Sequence, residues 1–356
     1  MSSLFGKSAL SPEWAERFRE IAKLNAYAQS ATVRLSNVVI EGYNLSGTKL
    51  SGAEFEKTEW KNITLKSGEF INTKFIHSSF NKVKFENVVF KDSVFEDVTF
   101  DESAFFQAQL QNVRFVRCQF SGAALQSLKA STISIDDSKL EDVSFFRSAV
   151  TMTVRGSKFD NVNMTGLVAP SALTFEKSEL KDVNADDSIL SSLRATDSHV
   201  DATFEKAKVD RVEFSNDELD AGLDYATLGT LIVNASKIKN LRMNTAHIDK
   251  VSITACTQTH NLGFYESTIR EMDISRSVLD DLDLADVAIE LLTIRDTQLL
   301  NSDFKKLRAK NVVLENVTLD KKMDFSGAQV ESLKSKNVTK LPTLNLITTG
   351  SNVKLD

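Results

Sequence analysis

The sequence predicts an all-β solenoid of four-sided parallel coils, and three periodic features predict it. Between Phe70 and Phe120 an apolar residue stands at every fifth position: Phe70, Phe75, Phe80, Phe85, Phe90, Phe95, Phe100, Phe105, Leu110, Phe115 and Phe120. Two residues before each centre stands a small or β-branched residue, as in Thr73, Ser78, Val83, Val88, Ser93 and Val98. Two residues after a centre, Gly, Asn or Asp recurs, as at Gly42, Gly47, Gly52, Asn62, Asn72, Asn87, Asp92, Asp97, Asn112 and Gly122. A step of five suits neither regular element. On an α-helix it advances the azimuth by about 140° and spirals the phenylalanines around the cylinder. On a straight strand an odd step throws successive side chains to opposite faces. The chain must therefore corner once in every five residues. If the corners are right angles, four pentapeptides close one coil and every fifth side chain points inward. Gly turns without steric cost, and Asn and Asp side chains bond nearby backbone, so these residues suit the corners.

The elements follow in chain order. Ser11-Pro12-Glu13 marks a helix start, with Ser as N-cap, Pro at the first helical position and an acid in the first turn. Trp14, Phe18, Ile21, Leu24 and Ala28 follow at helical spacing, which predicts an amphipathic helix over residues 12–29 of an N-terminal segment, residues 1–32. A solenoid end needs shielding, so this helix reads first as a cap on the first coil. Its second reading is a dimerisation or partner helix, giving a homodimer through a terminal segment. From about Val33 the centres run Leu35, Ile40, Leu45, Leu50, Phe55, Trp60 and Leu65, then through the phenylalanine block to Leu140, Phe145 and Val150. Residues twenty apart should stack, with Phe55, Phe75, Phe95 and Phe115 in one column and Trp60, Phe80, Phe100 and Phe120 in another. The phase slips near residues 151–170, 200–223 and 254–262, and each slip reads as a bulge or corner loop. Residues 152–170 are the expected kink or protrusion. Later centres are mostly aliphatic, among them Leu228, Val233, Ile238, Ile253, Ile274 and Leu299. The repeat is expected over residues 33–330, followed by a closing segment, residues 331–356. There Leu344, Leu346, Val353 and Leu355 alternate around Thr349-Gly350-Ser351 as a hairpin.

The five-residue period, with its apolar centre and small residue two before, resembles the pentapeptide-repeat family over most of the chain. That resemblance implies a right-handed quadrilateral β-helix. The commonest unit of the family reads Ala-Asp/Asn-Leu and two polar residues, whereas here it is nearer Val/Ser-x-Phe, a bulkier interior. The resemblance also implies bacterial origin and non-catalytic use. Some members resemble a DNA duplex in size and charge and bind DNA gyrase in its place, and some bacterial members act as secreted effectors inside host cells.

Composition narrows the classes. The 356 residues are 42% hydrophobic, with three prolines and thirteen glycines, and no linker breaks them. A repeat growing along one axis replaces the two or three compact domains that this length would otherwise suggest. The formal net charge is −6; residues 1–150 carry 18 basic and 18 acidic side chains, and the rest carry 25 and 31. A mildly acidic chain argues against direct nucleic-acid binding, which needs a basic surface. Cys118 falls at an inward position and Cys256 near a slip. About seven coils separate them, roughly 33 Å at ~4.8 Å per coil, beyond the ~7 Å reach of a disulfide. Free thiols fit a reducing, cytoplasmic compartment. The first residues hold no long apolar run, so neither a Sec-type signal nor a membrane span is expected.

No chemistry stands out. His77, His199, His247 and His260 are scattered, and none has a metal-ligand neighbour at useful spacing. No phosphate loop, zinc motif or nucleophile elbow occurs. Asp136/Asp137, Asp186/Asp187 and Asp280/Asp281 invite a two-carboxylate reading. They sit at corner phases, however, where Asp serves turns. The expectation is therefore no catalytic residue, no cofactor and no metal. Two surfaces remain. One is acidic and comprises Asp273, Asp280, Asp281, Asp283, Asp286 and Glu290, followed by the basic run Lys305, Lys306, Arg308, Lys310, Lys321 and Lys322. The other is apolar: Phe106 and Phe146 follow inward Phe105 and Phe145, so both point outward on one face. Aromatic residues are favoured anchors in interfaces. The sequence thus points first to a non-catalytic scaffold with a protein partner, and second to a DNA-mimicking modulator of gyrase.

Overall fold

Each pentapeptide becomes a short strand and a corner. The computed structural model describes residues 8–9, 33–43, 45–320, 323–339 and 353–355. The chain divides into two compact units, residues 1–184 and 185–356.

In the first unit the strands Glu54–Glu56, Glu59–Lys61, Thr64–Lys66 and Glu69–Ile71 form the four sides of one coil. Each pairs in parallel with the strand twenty residues on, through Phe55↔Phe75, Trp60↔Phe80, Leu65↔Phe85 and Phe70↔Phe90. The centres are inside: Phe75, Phe80, Phe85, Phe90, Phe95 and Phe100 are all buried. Their rings stack coil on coil. Phe75 and Phe95 lie 4.8 Å apart at 5°, and Phe80 and Phe100 lie 5.2 Å apart at 7°. Neighbouring sides meet edge to face, as for Phe95 and Phe100 at 5.4 Å and 61°. Both are favoured arrangements of the ring quadrupole.

The corners use left-handed backbone. Asn62, Asn72, Asn87 and Asp92 have φ of 52°, 51°, 54° and 51°. Such angles are tolerated best by Gly, Asn and Asp, which explains the recurrence of those residues. Each corner N–H is then satisfied from the next coil, as where Asn72 N–H donates to Lys91 C=O at 2.8 Å. Inside the corner the small residue acts as a clip. Ser78 Oγ donates to Ile76 C=O at 2.9 Å and accepts the Thr58 N–H at 3.1 Å. Buried backbone groups are thereby paired, as they must be.

The coil length changes after the phenylalanine block. Lys139 pairs with Lys158, nineteen residues on, and Lys158 with Glu179, twenty-one on. Between the strands Lys158–Asn163 and Ala172–Glu176 the chain makes a loop at which Val168, Ala169 and Pro170 are exposed.

In the second unit two sides of each coil merge into one longer strand, as in Lys208–Ser215, Thr227–Asn234 and His247–Thr254. Both centres of each strand remain buried, for example Leu228 and Val233. Pairing continues through Gln329–Lys336, with Leu333 buried, and Val353–Leu355 adds in parallel to that strand. The described residues contain no helix, and none is long and apolar enough to cross a membrane. The expected helix over 12–29 lies outside the described residues, as do Leu344 and Leu346 of the expected hairpin. Ser8–Ala9 pairs in parallel with Val38–Glu41.

Candidate functional site

Because centres and clips point inward, only the flanking positions of each pentapeptide reach solvent. Phe106 is one of these. It pairs in register with Glu86 and is 45% exposed, while every other phenylalanine from 70 to 120 is buried. Phe146 lies two coils on in the same column and is half-buried, with the Arg147 guanidinium carbon 4.9 Å from its ring centroid. Gln126 stands between the two in that column and accepts the Gln107 N–H on its carbonyl at 3.1 Å. The aromatic pair expected from sequence is thus one open ring and one ring under a cation.

The adjoining side of this unit carries a groove of about 920 Å³. Leu128 and Ala130 contribute to its floor and residues 168–170 to one wall, and Gln107, Gln109, Gln111, Lys129 and Arg147 also line it. Among the described residues no carboxylate lines the groove. Sequence reasoning missed it, although a signal existed: residues 103–135 contain no Asp or Glu.

The acidic residues of the second unit are largely occupied. Asp273 meets Arg295 at 3.1 Å, Asp286 meets Lys306 at 3.7 Å and Glu290 meets Lys310 at 2.9 Å. In each pair the cation comes from the following coil. Asp280 accepts from Asn301 Nδ2 at 2.7 Å and faces His260 at 3.8 Å. Asp281 takes a corner with φ 66°. Asp283 accepts the Ala285 N–H at 2.8 Å, and burial, with Asp303 nearby, raises its carboxyl above the usual range. Lys321 and Lys322 of the basic run lie outside the described residues.

The other reactive groups are structural. Asp137, Asp187 and Asp281, one of each acidic pair, hold corners at φ 50°, 55° and 66°. Cys118 and Cys256 are free and buried. Burial pushes the Cys118 thiol up to about 12 and raises that of Cys256, so neither supplies a thiolate near neutral pH. Among the described residues no group of His, Cys, Asp and Glu is placed to hold a metal ion. One acid departs from this pattern. Asp217 occupies an inward clip position, 2% exposed, where Ser198 and Ser236 hold the neighbouring coils. Its carboxylate accepts the N–H groups of Ser198 and Ser215, both at 2.7 Å, and burial pushes it up to about 7. The sequence signal was an Asp two residues before the centre Leu219.

Comparison with known proteins agrees with the coil geometry. Residues 68–145 match the family model of the pentapeptide repeat region. No curated protein matches the chain. Among solved structures, QnrB1, a plasmid-mediated fluoroquinolone resistance protein, is 14% identical over 56% of this chain and 83% of its own, at TM-score 0.28. HetL, a pentapeptide repeat protein involved in heterocyst differentiation regulation from the cyanobacterium Nostoc sp., is 11% identical over 90% of this chain and 92% of its own, at TM-score 0.12. The A-module of the mannuronan C-5 epimerase AlgE4 from Azotobacter vinelandii is 11% identical over 98% of this chain and 97% of its own, at TM-score 0.25. These likenesses are too slight to carry an argument about function. Residues 68–145 thus match a pentapeptide repeat region, and a coil of about twenty residues recurs in each unit.

Proposed function

We propose that this protein is a non-catalytic scaffold that holds a protein partner against its first unit. The observation that carries the reading is Phe106, an exposed ring in a block whose other phenylalanines are all inside. Phe146 and Arg147 extend the same column. An exposed aromatic, with an arginine over the ring two coils on, supports the reading of an interface anchor. The partner's identity, any pairing of two copies through a terminal segment, and a cytoplasmic or secreted location belong to this proposal and not to the fold.

Cross-linking of the protein to its cellular partner, with mass spectrometry of the linked peptides, tests the reading. Links should map beside Phe106, and Phe106→Ser with Phe146→Ser should abolish the complex while the circular dichroism stays unchanged. A complex that persists in the double variant, or turnover of any polysaccharide, would remove the reading. DNA mimicry is the weaker alternative, because Arg295, Lys306 and Lys310 neutralise Asp273, Asp286 and Glu290 in turn. Gyrase supercoiling that is unchanged at micromolar protein would eliminate it.

A further inference from the structure

The grooved face of the first unit differs in charge from the rest of this acidic chain. Its outward positions on three successive coils are Val89 and Lys91, then Gln109 and Gln111, then Lys129 and Ser131. Most cations of this unit have a carboxylate beside them: Lys49 has Glu69 at 2.7 Å, Lys66 has Glu86 at 2.9 Å, and Arg117 has Asp97 at 2.8 Å. Lys91, Lys129 and Arg147 have no such partner among the described residues. They therefore leave a local positive potential on a chain of net charge −6.

Residues 168–170 rise beside Lys129 and Arg147 and turn the face into a trough. Gln107, Gln109 and Gln111 each offer a carbonyl and an amide nitrogen side by side, the donor and acceptor set that a peptide backbone matches. Among the described residues no aromatic ring lines the trough, which therefore offers no flat surface on which sugar rings or bases stack. We propose that this groove binds an extended acidic segment of a polypeptide. Arg147 takes a carboxylate in a two-pronged contact, Lys129 acts as a point charge, and the glutamine amides hold the backbone between them. Phe106, next to Gln107 in the chain, flanks the same ligand. The inference rests on the scaffold reading for the source of that segment.

The test is fluorescence anisotropy of dye-labelled decaglutamate titrated with the full chain. Binding should weaken as salt is raised, because exposed charges are screened. Lys129→Glu with Arg147→Glu should lower affinity by about tenfold or more. Lys177→Glu, at an exposed cation outside the groove, should leave affinity unchanged. Unlabelled oligogalacturonate and oligothymidylate of matched charge should compete poorly. The inference is overturned if decaglutamate does not bind, if the double variant binds as well as the parent, or if either polyanion competes equally. Loss of the cellular complex in the Phe106/Phe146 variant together with failure of decaglutamate to bind would sink the inference and leave the scaffold reading standing.

Discussion

From Phe75 to Phe115 the first unit keeps twenty residues to the coil, whereas from Ile189 to Thr268 the second unit varies. Phe75 pairs with Phe95 and Phe95 with Phe115. In the second unit Ile189 pairs with Lys208, nineteen on, Thr227 with His247, twenty on, and His247 with Thr268, twenty-one on. The interiors explain the contrast. Rings stacked 4.8 and 5.0 Å apart keep their contact only when each lies over the last. In the second unit Ala195 lies in register with Phe214, and Ala202 with Ala221. Short side chains leave slack that a corner can absorb. The size of the interior group thus sets how strictly the coil repeats. The strict block from Phe75 to Phe115 is also the stretch from which Phe106 projects.

The largest expected effect would break this contrast directly. Phe95→Ala should cost about 3–5 kcal/mol through lost transfer energy and a residual cavity. It also removes stacked pairs with Phe75 and Phe115, each worth ~0.5–1.5 kcal/mol. Phe214→Ala, beside Ala195 and Val233, should fall at the lower end. Denaturant unfolding of the full chain compares the two, and equal losses would contradict a special role for the stack.

Next comes pH. The folded-state value of Asp217, about 7, lies above the ordinary carboxylate value. The folded chain therefore holds a proton that the unfolded chain releases. The contribution of Asp217 to stability should be greatest below about pH 4, fall as pH rises, and level off above about 7, by something on the order of 2–4 kcal/mol. Asp217→Ser, matching Ser198 and Ser236, should flatten that slope in unfolding curves measured across this range.

A smaller effect concerns corners. Tyr225 has φ 61° where Asn72 of the first unit has 51°. Left-handed backbone disfavours a bulky residue, so Tyr225→Asn should stabilise by up to about 1 kcal/mol. Thermal melts read this, and a loss of stability would show that the exposed ring contributes a contact. The smallest effect is on the surface. Arg117 bonds Asp97 and Glu96 and holds the Asp97 carboxyl below its usual range, yet Arg117→Ala should shift the melt only slightly, and at high salt not at all.

Much of this architecture is legible in the residues themselves. Phe70 through Phe120 fix the interior, and Asn62, Asn72 and Asp92 mark corners, because period and φ are local properties. The candidate surface is legible in part. The outward phase of Phe106 follows from counting, but the cover of Arg147 over Phe146 depends on where two long side chains settle. The groove needed three coils and a loop brought together, which no single pentapeptide encodes. Asp286 and Lys306 stand twenty residues apart, one coil on, whereas Arg295 with Asp273 bridges twenty-two residues and crosses columns. Asp217 was readable from phase alone, and its raised carboxyl follows only once burial is known.

The most direct measurement is fluorine NMR on chain labelled with 4-fluorophenylalanine, with a soluble paramagnetic agent added. Phe106→Ser and Phe95→Leu assign the two signals that matter. The account predicts strong broadening for Phe106 and little for Phe95. Broadening of Phe95 to a similar degree, or protection of Phe106, would contradict it.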